Sequence, residues 1–150
     1  MAAVSVREQV LAGLKIALDG ITGVSGLLVL RNEDVAIDQF PTLIQTDADG
    51  TQRIVDRAAG VTVYAIDVTV EGYVSAKLSA ETGPAISDLY ARAWRAAKSA
   101  ENTVAAIFEI IEGETTTTLI REEGVPPHAY FGLSLDVRFG AHPDDPFTPA

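Results

Sequence analysis

The chain has 150 residues, carries 11 Lys and Arg against 21 Asp and Glu for a formal charge of −10, and contains no cysteine. That length sets a single domain, residues 1–150, able to bury roughly 68–70% of its unfolded surface. The acidity disfavours stable DNA binding, which needs a basic stripe to displace counterions, and the lack of Cys excludes disulfides, a thiolate nucleophile and a Cys-based zinc site.

The opening residues lack the basic and apolar regions of a secretory signal, and no apolar run approaches the ~20 residues of a membrane span. A soluble chain is expected, with no membrane partner. Ser5, three residues before Glu8, predicts a capping box in which each side chain reaches the other's backbone N–H. Val6, Val10, Leu11, Leu14, Leu18 and Ile21 follow at helical spacing as one apolar stripe, with Gly20 and Gly23 as stops. Leu27–Arg31 reads as a strand, 32–38 as an acidic loop, and 40–47 as a second strand, where Pro41 favours an edge or first position. Residues 47–51 are turn chemistry, with Gly50 free to take positive φ, and 53–60 continues as a polar excursion. Val61–Glu71 is the longest strand candidate. Tyr64, Ile66, Val68 and Val70 make one face apolar, while the other passes from Val61 and Val63 to Asp67, Thr69 and Glu71.

A second helix is expected to open near Thr82–Pro84, where a missing N–H is harmless. Ile86, Leu89, Tyr90, Ala93, Trp94 and Ala97 form its apolar face. Arg92, Arg95 and Lys98 lie opposite and toward its end, where they suit the helix dipole. Residues 104–111 fit helix or strand, and β-branched and aromatic crowding favours a strand from about Ile107. Residues 115–121 read as its hairpin partner across Glu112, Gly113 and Glu114. Beyond Pro126 and Pro127, Phe131, Leu133, Leu135, Val137 and Phe139 alternate with Gly132, Ser134, Asp136 and Arg138, the pattern of a half-buried strand. The tail 140–150, with three prolines and two aspartates, is expected to be an extended C-terminal arm. These elements predict an α+β fold, a mainly antiparallel sheet with two amphipathic helices packed on it, in the order α-β-β-β-α-β-β with or without a last strand.

The residues offer little chemistry. His128 and His142 each stand beside a proline and lack metal-ligand spacing. Neighbouring carboxylates, Glu122 with Glu123 and Asp144 with Asp145, point apart in extended backbone. Gly20, Gly23 and Gly26 lie between helix and strand, the reverse of a phosphate loop's order. No Gly-x-Ser-x-Gly elbow occurs. No catalytic, cofactor-binding or metal-binding residue is therefore expected, nor any enzymatic activity.

Several segments resemble the tail terminator proteins of long-tailed bacteriophages and the related gene transfer agents. They are 5–14, the Gly23-Val24 turn, a first strand ending in Arg31-Asn32, and the run 40–45 with Pro41 before an apolar strand. The long third strand, the second helix, the last strand ending Val137-Arg138-Phe139, and the closing 144–147 match in order; 49–60 stands outside the resemblance. It implies a structural virion protein: a hexameric ring that caps the tail tube, stops its polymerisation and joins the head-side connector. The implied partners are further copies, the tail tube protein and a connector or stopper protein, with DNA passing through unbound. The implied location is the host cytoplasm during assembly, then the head–tail junction of the particle.

A ring needs a heterologous interface whose rotation closes. The candidate contacts are Ser134, Asp136 and Arg138 on the last strand, Asp47, Asp49, Arg53, Asp56 and Arg57 on the excursion, and Asp144, Asp145 and Phe147 on the tail. Charges on the excursion are expected to pair between subunits and set register. Two other readings stand: another neck or head-completion component, or a small-molecule-binding α+β domain with a pocket between helix two and the sheet.

Overall fold

The structure, a computed structural model, describes residues 2–33, 39–76 and 79–150. Helix α1 (Val6–Asp19) is capped by Ser5, whose Oγ accepts the Glu8 backbone N–H at 3.1 Å. The expected return contact from Glu8 is replaced: its carboxylate takes two guanidinium nitrogens of Arg31 at 2.6 and 2.9 Å. A two-pronged charge-assisted contact outweighs a single bond to a backbone N–H. Val6, Val10, Leu11, Leu14 and Leu18 are each at most 2% exposed. At about 1.5–3 kcal/mol per fully buried aliphatic side chain, this stripe holds the helix far more firmly than propensity does.

Among the described residues, seven strands form one sheet: β1 (Leu28–Arg31), β2 (Thr42–Thr46), β3 (Gln52–Ala58), β4 (Val61–Ser75), β5 (Ile107–Ile120), β6 (His128–His142) and β7 (Asp145–Pro149). The order is β1-β2-β4-β6-β5, with β3 beside β4 and β7 beside β6. Strands β1 and β2 are parallel; the other pairs among the described residues are antiparallel. The α+β architecture with a mainly antiparallel sheet is thus as expected. The β4–β6 ladder runs unbroken from Thr62↔Ala141 to Ser75↔His128 and is its spine. Phe131, Leu133, Leu135, Val137 and Phe139 of β6 and Ile66, Val68 and Val70 of β4 are at most 2% exposed. They form the core with α1 and helix α2 (Ser79–Thr103), both lying on this one face.

Several elements differ from expectation. Of the loop expected over 32–38, residues 34–38 lie outside the described residues. The 53–60 excursion is strand β3 and a tight turn, with Gly60 at φ +81°. It pairs with β4 from Gln52↔Ile66 to Ala58↔Val61, with a bulge between Ile54 and Asp56. Gly50 is not left-handed; a Cβ there would stand 2.1 Å from the Asp67 carbonyl oxygen, so close approach is what requires glycine. Helix α2 starts at Ser79, earlier than expected, and Pro84 lies inside it. As the sixth residue of the helix it lies past the first turn, so its missing N–H removes a hydrogen bond to the Ala80 carbonyl and is not the harmless one expected. The helix also outruns its basic residues: its last turn holds none, and Lys98 pairs with Glu101 at 2.5 Å instead of lying at the helix terminus.

The hairpin expected across Glu112–Glu114 does not form. Strand β5 continues along β6 to Ile120, absorbing Gly113 in a bulge between Glu112 and Thr115. A Cβ at Gly113 would lie 3.0 Å from the Ser134 carbonyl oxygen, so glycine lets the bulge press against β6 and the strand carry on. The tail is not an extended arm either. Strand β6 runs to His142, and β7 folds back on it through Ala141↔Pro149 and His142↔Asp145. Among the described residues, no helix is long and apolar enough to cross a membrane.

Candidate functional site

The candidate contacts fall into four groups, the last of them in the tail. The first is Asp47, which is 2% exposed and therefore no subunit contact. Arg31 Nε donates to its Oδ2 at 2.8 Å, Gln45 Nε2 to the same oxygen at 2.7 Å, and Asn32 Nδ2 to Oδ1 at 2.9 Å. Asn32 holds a left-handed φ of 53° and uses its Oδ1 to accept the backbone N–H groups of Asp47 and Ala48. Burial pushes the Asp47 carboxyl up, but the bonds from Arg31, Asn32 and Gln45 outweigh it and hold the group below the usual range. The hydrogen bond from Arg31 holds Glu8 low as well. This clasp ties α1, the end of β1 and the end of β2 together. It shapes the domain and leaves the surface to others.

The second group lies on the face of the sheet opposite the helices. Arg53 on β3 reaches Asp136 on β6 at 2.8 Å and Asp67 on β4 at 3.4 Å, and Arg138 approaches Asp136 at 3.5 Å. Arg53 and Asp136 thus pair within one chain, contrary to the expected pairing between subunits. Antiparallel register causes this: Asp67 sits opposite Asp136, and β3 brings Arg53 opposite Ala65, beside both carboxylates. Asp136 Oδ1 and Arg138 Nε remain buried without a partner. Ser134 beside them is exposed. Farther along, Tyr73 and Tyr130 stack at 5.7 Å between centroids, and burial with the Glu71 hydrogen bond pushes the Tyr73 phenol up.

The third group is exposed. Asp49 is exposed, and Asp56 and Arg57 belong to a run, 51–60, in which every residue is exposed although β3 within it is a paired strand. Within it Ile54 is 47% and Val55 40% exposed. In the sequence the charges of this segment draw the eye, and the signal for these aliphatics is two apolar residues inside a polar run. Phe108 and Leu119 on β5 are likewise exposed.

In the tail, Asp144 and Phe147 are exposed, but Asp145 is spent internally. Its carboxylate accepts the Thr148 hydroxyl and the Phe147 backbone N–H, and these two bonds, the hydroxyl's first, hold it below the usual range. His128 and His142 are the two end residues of β6. Among the described residues, no three His, Asp or Glu side chains converge as a metal site. A cleft of about 280 Å³ does lie between α2 and the sheet, lined by Val24, Phe40, Pro41, Val74 and Leu89 among others. Asp88 at its wall is already held by Arg92 at 2.8 Å. No family model matches the chain, and no curated protein matches it.

Proposed function

We propose that this chain is a structural subunit of the tail terminator kind: copies form a ring on the end of a tail tube, stop its growth and join it to the head-side connector. The observation that carries the reading is the β3 segment, an ordered strand with both faces exposed and two aliphatic side chains, Ile54 and Val55, presented outward. A lone hairpin of this kind gains little stability from burial, so its apolar residues suit contact with another protein. The element order and the segments that resemble tail terminators support the same reading. Asp49, Asp56, Arg57, Ser134, Asp144 and Phe147 remain its candidate contacts. The charge of −10 per chain fits a conduit that a passing duplex does not adhere to.

The test is genetic. Particles assembled without this chain should carry tail tubes of uncontrolled length and unjoined heads. Tails of normal length joined to heads would remove the proposal. A chain that stays monomeric and binds a metabolite in the α2 cleft would favour the small-molecule reading instead.

A further inference from the structure

Among the described residues, two long edges of the sheet carry no neighbouring strand: the outer side of β3 and the outer side of β5. They differ in charge. Strand β3 holds Arg53 and Arg57 against Asp56, whereas β5 holds Glu109, Glu112 and Glu114 with no basic residue. They differ too in how they are guarded. Natural sheets blunt their edges with charges, prolines or bulges. From Thr115 to Ile120, β5 pairs regularly with β6, without a bulge, and is free of all charge. That half of β5 is an open template for another strand.

We propose that β3 of one copy adds to β5 of the next, head to tail, so that the sheet continues across the subunit boundary. The inference rests on the reading of the chain as a self-assembling subunit and names the surface it uses. Strand direction follows from the register. Strands β3, β4, β6 and β5 alternate in direction, so β5 runs opposite to β3. A second copy placed beyond β5 with its helices on the same side therefore brings its β3 in antiparallel. In that direction the Arg57 end of β3 meets the Glu112–Glu114 end of β5, and the Gln52 end meets Ile120. The parallel alternative would set Arg57 against uncharged Leu119.

Side-chain faces narrow the register. Ile54 sits opposite Tyr64 and Thr117 opposite Phe131, both on the helix side of the sheet, so Ile54 and Thr117 can stand opposite each other across the boundary. Two unlike surfaces meet, and such a contact closes into a ring when its rotation allows. Copies of charge −10 repel one another at long range. A local match of Arg57 to the β5 glutamates supplies the orientation that this repulsion otherwise opposes.

The chain has no native cysteine, so introduced pairs report without background. Ile54→Cys and Thr117→Cys within one chain lie three strand spacings apart, about 14 Å across the sheet, and are further offset along it, since Ile54 is level with Phe139 and Thr117 with Phe131. That exceeds the Cα separation of about 7 Å that a disulfide tolerates, and any bond must join two chains. The double variant, oxidised at high concentration, should give a ladder of multimers that reduction collapses. Thr115→Cys and Leu119→Cys in place of Thr117→Cys cover a two-residue slip on the same face. Mixing the two single variants should give only dimers holding one of each. Adding Arg57→Glu to the double variant should cut the ladder several-fold, and Glu114→Arg on that background should restore it. Absence of a ladder from every pair, or dimers formed by either single variant alone, would overturn the head-to-tail pairing. Tail length without the chain is independent of these variants, so the ring reading stands or falls separately.

Discussion

The guanidinium of Arg53 and the carboxylate of Asp136 meet at 2.8 Å although 83 residues separate them in sequence. The contact fastens the exposed β3 strand to the centre of the sheet. It also divides two arginines that look alike in sequence: Arg53 is occupied within its own chain, and Arg57 is available to another.

Arg53→Ala should therefore lower stability by about 0.5–1 kcal/mol, the scale of a partly exposed pair, read from urea unfolding. Arg57→Glu should leave the unfolding midpoint unchanged and impair particle assembly. Equal effects of the two substitutions on stability would contradict the division.

Asp47→Ala should be far more damaging. Breaking a buried pair costs about 3–5 kcal/mol. The low end applies here, because Arg31 keeps Glu8 and its side chain is 21% exposed. Chemical denaturation of the variant checks this; a loss below 1 kcal/mol would show that the clasp contributes little.

The same carboxylates set the acid limit. Asp47 and Glu8 are held below their ordinary values of 3.8 and 4.5 in the folded chain. A carboxyl depressed by folding contributes stability that is present above its unfolded pKa and lost as pH falls through the folded one. Stability should therefore hold from neutral pH down to about pH 5 and fall below about pH 4. The Asp47→Ala variant should show a shallower acid limb, measured as unfolding free energy against pH.

Neighbouring residues on β6 should respond in opposite ways. Leu135 is 1% exposed while Ser134 faces solvent. Leu135→Asp buries an unpaired charge and should abolish folding, whereas Ser134→Asp should be tolerated within about 0.5 kcal/mol. Circular dichroism and thermal melts separate the two. A folded Leu135→Asp protein would mean the faces of β6 are reversed.

Much of this fold could be read directly where one face of an element is buried. The α1 stripe from Val6 to Leu18, the even face of β4 and the odd face of β6 all advertise their period, because burial demands apolar residues at fixed spacing. Strand β3 escaped notice because it is exposed on both faces, and no burial imposes alternation on it. Strand β5 was split at Glu112–Glu114 because a glycine between glutamates reads locally as a turn; only the ladder to β6 makes it a bulge. Asp47 has the local pattern of a surface charge, and only tertiary structure brings Arg31, Asn32 and Gln45 onto it. The tail misled in the same way, since β7 is a strand only by virtue of β6 beside it.

Electron microscopy of particles carrying a gold-labelled epitope after Ala150 tests the assembly role most directly. The label should appear as a ring where the tail tube meets the head, in every complete particle. Complete particles with label elsewhere, or with none at that junction, would contradict the proposed role of this chain.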